Sequence, residues 1–113
     1  MLSERVQKAL NEQIVKEFYS AYLYYAMAAH TESIGLPGFT NWLKCQAQEE
    51  LSHGAKIFNY VAEVGGRVEL GAIDQPPREW DSPRAIFEAT CEHEALVTAS
   101  INNIVDIARE EKD

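Results

Sequence analysis

The segment QAQEELSHGAKIFNYVAEVGG, Gln46 to Gly66, carries an amphipathic helical pattern with two residues of the wrong polarity on its apolar stripe. At steps of seven, which hold nearly one face of an α-helix, Leu43, Glu50, Ile57 and Val64 fall on one line. Gln46, His53 and Tyr60 lie beside it. A carboxylate and an imidazole thus stand where the helix should be buried. Their i,i+3 spacing stacks them one above the other and converges them on one point.

The flanking sequence supplies two more helices. Ser3 is a candidate cap, and good helix formers continue from there to Ile34, where Gly35 offers a stop. The first helix is therefore expected over about 3–34, and the second over about 39–64, closed by Gly65 and Gly66. The turn between them is short enough to require antiparallel packing. Next comes RVELGAIDQPPREWD, a connection over about 67–81 whose Pro76-Pro77 pair forbids helix. Ser82-Pro83 restarts a helix expected over about 82–110. A second helix of this length spans roughly 39 Å at 1.5 Å per residue. The connection, at up to roughly 50 Å when extended, can cross the whole bundle. It is expected to leave the second and third helices parallel, as in bundles with one long crossover. The fold class is all-α, and 113 residues form a single domain.

The other helices repeat the anomaly. In the first, Leu10, Glu17 and Tyr24 align, with Ile14, Ala21 and Ala28 alongside. In the third, Phe87, Glu94, Ile101 and Ala108 align, with Thr90, Val97 and Ile104 alongside. Each helix brings a carboxylate to its seam near mid-length, and burying uncompensated anions there is prohibitively costly. Lys16, Lys56 and Arg84 are poorly placed to neutralise them. A metal ion is the simpler counter-charge, since carboxylates can bridge two cations and imidazole suits iron, manganese or zinc. Alone, a Glu-x-x-His pair is common on solvated helix faces; the coincidence on three helices carries the inference. His30 and His93 read as surface or helix-end histidines, and Tyr19, Tyr22, Tyr25 and Tyr60 as core or interface aromatics.

Composition narrows the partners. A net charge of -8 at pH 7 disfavours nucleic acid and anionic membrane and concentrates cations. No apolar run approaches the roughly 18 residues of a membrane helix, and no signal-peptide core follows the N-terminus. Cys45 and Cys91 have no zinc or disulfide spacing and read as free thiols, which points to a cytoplasmic protein.

Four stretches resemble the non-haem bacterial and archaeal ferritins: EFYSAYLYYAMA from Glu17, QEELSH ending at His53, EWDSP from Glu79, and CEHEAL containing Glu94. The resemblance covers essentially the whole chain. It implies a ferritin-like four-helix bundle with inward Glu and Glu-x-x-His ligands. It further implies a ferroxidase, in which two Fe(II) ions at a di-iron centre are oxidised by dioxygen or peroxide and Fe(III) is stored as mineral inside a homo-oligomeric, 24-subunit cage. By position, Glu17, Glu50 and His53 match the ligands of the first iron, with Glu50 bridging, and Glu94 matches the carboxylate of the second. Tyr24 matches the tyrosine beside the centre that bonds a ligand carboxylate or donates an electron. Glu49 matches a residue of an accessory third iron site.

The resemblance also implies a fourth long helix, whereas the chain stops at Asp113, about where the third helix ends. Three helices alone are expected to leave a groove lined by residues such as Ile14, Ile57 and Ile101, to be filled by a further segment or another polypeptide. No haem is expected, because the methionines are Met1 and Met27 and neither lies in the second helix. A DNA-protecting mini-ferritin is disfavoured by the absence of a basic arm. A rubrerythrin-like peroxidase would call for a second Glu-x-x-His. The reading from a different class is a ferritin-like helical assembly module with little or no catalysis.

Overall fold

Three local signals set the helix ends in the computed structural model, which describes residues 2–111. The Ser3 hydroxyl accepts from Val6 N at 3.1 Å and starts α1, Glu4–Ser33. Helix α2 spans Pro37–Glu63 and α3 spans Pro83–Glu110. The Ser82 hydroxyl accepts from Ala85 N at 3.1 Å, and Pro83 sits at a position whose amide would have no helical partner. Helix α2 begins two residues before the expected Phe39. Pro37 already holds the helical φ, and Gly38 enters the first turn without breaking it.

Both α1 and α2 end in the same way. Gly35 and Gly65 adopt φ of 75° and 83°. Leu36 N reaches Thr31 O at 3.0 Å and Gly66 N reaches Val61 O at 2.9 Å, satisfying carbonyls that the helix ends would otherwise leave open.

The element order is α1, α2, a long crossover, α3. The start of α1 lies against the end of α2, where Arg67 N donates to Gln7 Oε1 at 3.0 Å and Asn11 Nδ2 donates to Arg67 O at 2.9 Å. That start also lies against the end of α3, through the Arg5–Glu110 ion pair at 2.5 Å. Helix α1 is therefore antiparallel to both others, and α2 and α3 run parallel, as the crossover length requires. Among the described residues α2 and α3 make no close backbone approach to one another. The molecule is a rod of about 50 × 21 × 21 Å with α1 between its partners.

The core follows from that central position. Ala21, Leu23, Tyr24, Met27 and Ala28 of α1 pack with Leu43 and Ala47 of α2 and Ile86 of α3. Burying each large side chain contributes about 1.5–3 kcal/mol. Gly54 lets α2 approach the Phe18 ring so closely that a Cβ there would stand 2.5 Å from a ring carbon.

The expected stripe on α3 requires a correction. Ile86 and Thr90 are its buried residues, whereas Phe87 is 56% and Ile101 43% exposed. The face toward α1 runs one position off the Phe87–Glu94–Ile101 line, because α3 rests on α1 alone. Ile14, expected on an open groove, is fully buried, and Ile57 is half-buried. Among the described residues no helix is long and apolar enough to cross a membrane. Cys45 and Cys91 are exposed free thiols.

Two glycines with open space around them make a matched test. Gly65→Ala forces a side chain into the left-handed region and should destabilise by about 1 kcal/mol. Gly38→Ala, at a helical position, should stabilise by about 0.4–1 kcal/mol. Urea unfolding midpoints that move the two variants in the same direction would contradict these helix ends.

Candidate metal centre

Glu17 on α1 and Glu50 on α2 face one another near the middle of their helices. They are only 1% and 4% exposed. One turn beyond Glu50, His53 places Nδ1 3.5 Å from Glu50 Oε2 and 3.8 Å from Glu17 Oε2. A ligand atom from each of the three lies within 4.8 Å of the others. His53 is itself half-exposed, so the cluster opens along the outer side of α2.

The electrostatics of this arrangement are unbalanced. Glu17 Oε2 and Glu50 Oε2 are buried, and no donor reaches either. Among the described residues no lysine or arginine pairs with Glu17, Glu50 or Glu94: Lys16 donates to Ser100, and Arg84 is paired with Glu88. Burial, followed by the Glu17 carboxylate and then Glu94, pushes the Glu50 carboxyl up to about 9. Orphaned oxygens that converge with an imidazole suit a divalent cation of the iron, manganese or zinc type. The donors present therefore fit such an ion.

Glu94 reaches the same interior from α3 but stands outside the three-residue cluster. The fully buried Tyr24 hydroxyl donates to Glu94 Oε1. Burial and this bond hold the Tyr24 hydroxyl well above its ordinary pKa, so it remains a donor. Glu49, 100° around the helix from Glu50, is exposed and outside the cluster.

His93 departs from its reading as a surface residue. It is half-buried, with Nε2 2.6 Å from Ser20 Oγ, its ring 5.9 Å from that of Tyr19 and edge-on to Tyr24 at 6.0 Å. Burial lowers its pKa, against the opposing pull of Glu94. His30 does lie at a helix end, in the last turn of α1 against Trp80. Sequence reading also passed over Gln13, which is 1% exposed and donates to Glu17 Oε1 at 3.1 Å. The available signal was its position four residues before Glu17, next to the apolar Ile14.

Residues 7–113 match the family of the ferritin-like domain. The chain belongs to the ferritin family. A bacterial non-heme ferritin of Bacteroides fragilis is 41% identical over 113 residues, covering all of this chain and 71% of that protein. A second, from Staphylococcus aureus, is 37% identical, with all of this chain and 68% of the relative covered. An open-pore ferritin of the hyperthermophilic archaeon Archaeoglobus fulgidus superposes with a TM-score of 0.98 at 54% identity, covering all of this chain and 70% of that structure. The three helices and the long crossover are thus the ferritin arrangement, and the carboxylate–imidazole cluster lies inside a ferritin-family bundle.

Glu50 makes the cation-free ferritin chain pH-sensitive. Its folded pKa of about 9 lies above the ordinary 4.5, so across that window the folded chain holds a proton that the unfolded chain releases. Stability should therefore fall as pH rises from about 5 to 9. Thermal melts without metal should show this slope, and Glu50→Gln should flatten it. An unchanged slope in the variant would remove Glu50 as its source.

Proposed function

We propose that this chain is an iron-storing ferritin subunit with ferroxidase activity. The observation that carries the reading is the pair of orphaned carboxylate oxygens on Glu17 and Glu50, converging with His53 and, among the described residues, matched by no lysine or arginine. Fe(II) is the substrate. Glu17, Glu50 and His53 bind the first ion, Glu50 bridges to the second, and Glu94 completes the di-iron centre from α3. Each Fe(II) gives up one electron, and dioxygen or hydrogen peroxide accepts them. Carboxylates stabilise the higher charge of Fe(III), which drives the reaction in the direction of storage.

Tyr24 serves as the donor that holds Glu94 at the centre. Glu49 belongs to an accessory iron position on the outer side of Glu50. The acidic surface, at net charge -8, concentrates Fe(II) around the protein.

Storage also requires an enclosure, and we assign this chain to a homo-oligomeric cage of 24 subunits in the cytoplasm. Tyr22, Tyr25 and Leu51 are exposed and, with Phe18 and Ile73, line an almost wholly apolar depression of about 400 Å³. Such a patch suits contact with a second copy. No haem is assigned to this chain, and neither nucleic acid nor membrane is proposed as a partner.

Anaerobic Fe(II) titration followed by oxygen tests the activity, read by ferric absorbance. The expected result is saturation near about two irons per chain and rapid oxidation. Glu50→Ala should slow that oxidation at least about 10–100-fold, the range already seen on removing an outer-shell partner. Slow oxidation identical in both proteins would instead support a helical assembly module without catalysis.

A further inference from the structure

The two oxygens of Glu17 have unlike surroundings. Oε1 accepts from Gln13 Nε2 at 3.1 Å, whereas Oε2 has no donor and stands 3.8 Å from His53 Nδ1. Gln13 is fully enclosed, and its amide is held from the far side as well. Ser100 Oγ on α3 donates to Gln13 Oε1 at 2.6 Å, and Lys16 Nζ donates to Ser100 Oγ at 2.9 Å.

The polarity of this chain of bonds is set from its two ends, the Lys16 ammonium and the Glu17 carboxylate. An ammonium has donors only, so Ser100 Oγ accepts from Lys16, and an ionised carboxylate accepts only, so the amide that reaches Glu17 must turn its NH2 to it and its oxygen to the Ser100 proton. Gln13 therefore shows its oxygen to Ser100 and its NH2 to Glu17. The flipped amide would set an oxygen against a carboxylate and lose the bond that the Ser100 hydroxyl donates. The acceptor-only carboxylate thus decides which amide atom reaches it, and the serine and lysine hold that amide from behind.

We propose that Gln13 is a positioning residue for the metal centre: with Ser100 and Lys16 it commits Glu17 Oε1 to the protein and leaves Oε2 alone for the cation. This inference rests on the reading of Glu17, Glu50 and His53 as that centre. Glu17 then binds through one oxygen, in an orientation dictated from α3, although its cation partners Glu50 and His53 come from α2. Without the amide, both oxygens are free and Glu17 can bind through either or both.

The full chain tests this with Co(II), whose visible bands are strong at low coordination number and weak at six. Gln13→Leu and Ser100→Ala should each weaken Co(II) binding about 10–100-fold and dim the bands as Glu17 becomes bidentate. The double variant should bind no more weakly than Gln13→Leu alone, because the two act through one chain. In the metal-free protein, the side-chain NH2 of Gln13 should exchange slowly with solvent and quicken in Ser100→Ala, as read by nitrogen–proton NMR. A purely structural role would lower melting temperatures while leaving Co(II) affinity and band intensity at wild-type values, and that result would overturn the proposal. If Gln13→Leu does not fold, Ser100→Ala, at a half-buried position, decides alone on the same two readouts. Wild-type protein that takes up no Co(II) would overturn the metal reading itself and this role with it. Normal wild-type binding with unaltered variants would overturn only the role of Gln13.

Discussion

Two carboxylates, Glu17 and Glu50, are buried opposite each other with one oxygen apiece left without a donor. In an apolar interior an ionised carboxylate costs several kcal/mol, and without a cation Glu50 avoids that cost by keeping its proton up to about pH 9. The surrounding structure does little to relieve it. Among the described residues no lysine or arginine pairs with Glu17 or Glu50, and Glu94 adds a third acidic group to the same interior. A bundle that maintains this much unbalanced negative potential is suited to a mobile positive partner. The ferritin family supplies one in iron, and the rest of the fold can be understood as what keeps the carboxylates in place.

The helices divide that work unequally. Helix α2 is bound to α1 by close apolar packing, with Gly54 admitting Phe18 and Leu43 and Ala47 entering the core. Glu50 and His53 are thereby set relative to Glu17 as parts of one stiff pair. Along its middle and C-terminal half, α3 is tied to α1 by polar contacts: Tyr24 to Glu94, Ser20 to His93, and Ser100 to Gln13. Hydrogen bonds specify direction where apolar contacts specify only distance. The second helix therefore builds the cluster, and the third trims the orientation of its members.

The crossover is what makes α3 available for this. Residues 66–82 carry no regular structure and return the chain along the length of the rod, so that α3 starts beside the end of α1. Its parallel course to α2 puts Glu94 at the level of Tyr24 rather than at the opposite end. A short turn would have inverted α3 and set its acidic residue at another height. Large apolar residues such as Phe87, Leu96 and Phe58 remain exposed on α2 and α3, and Tyr22 and Tyr25 on α1, which agrees with a unit built to associate.

Local chemistry made much of this legible from residues alone. Ser3, Ser82-Pro83, Gly35 and Gly65 announce helix ends because capping and left-handed φ are properties of single residues and their immediate neighbours. The seven-residue spacing exposed Glu17 and Glu50 as misfits, since periodicity reports burial wherever a helix is packed along its full length. On α3 Ile101 is exposed, as expected of the open groove, and so is Phe87, because α3 rests on one neighbour and its buried face follows that contact. Gln13 left only its i,i+4 spacing to Glu17 as a signal, whereas Ser100 and His93 are given their roles by partners on another helix, and polar contacts between helices leave no periodic mark. Sequence determined which residues have the chemistry to bind a cation. Only the tertiary structure decided which of their atoms are left without a donor, because a hydrogen bond's direction is set by three-dimensional neighbours rather than by the order of the chain.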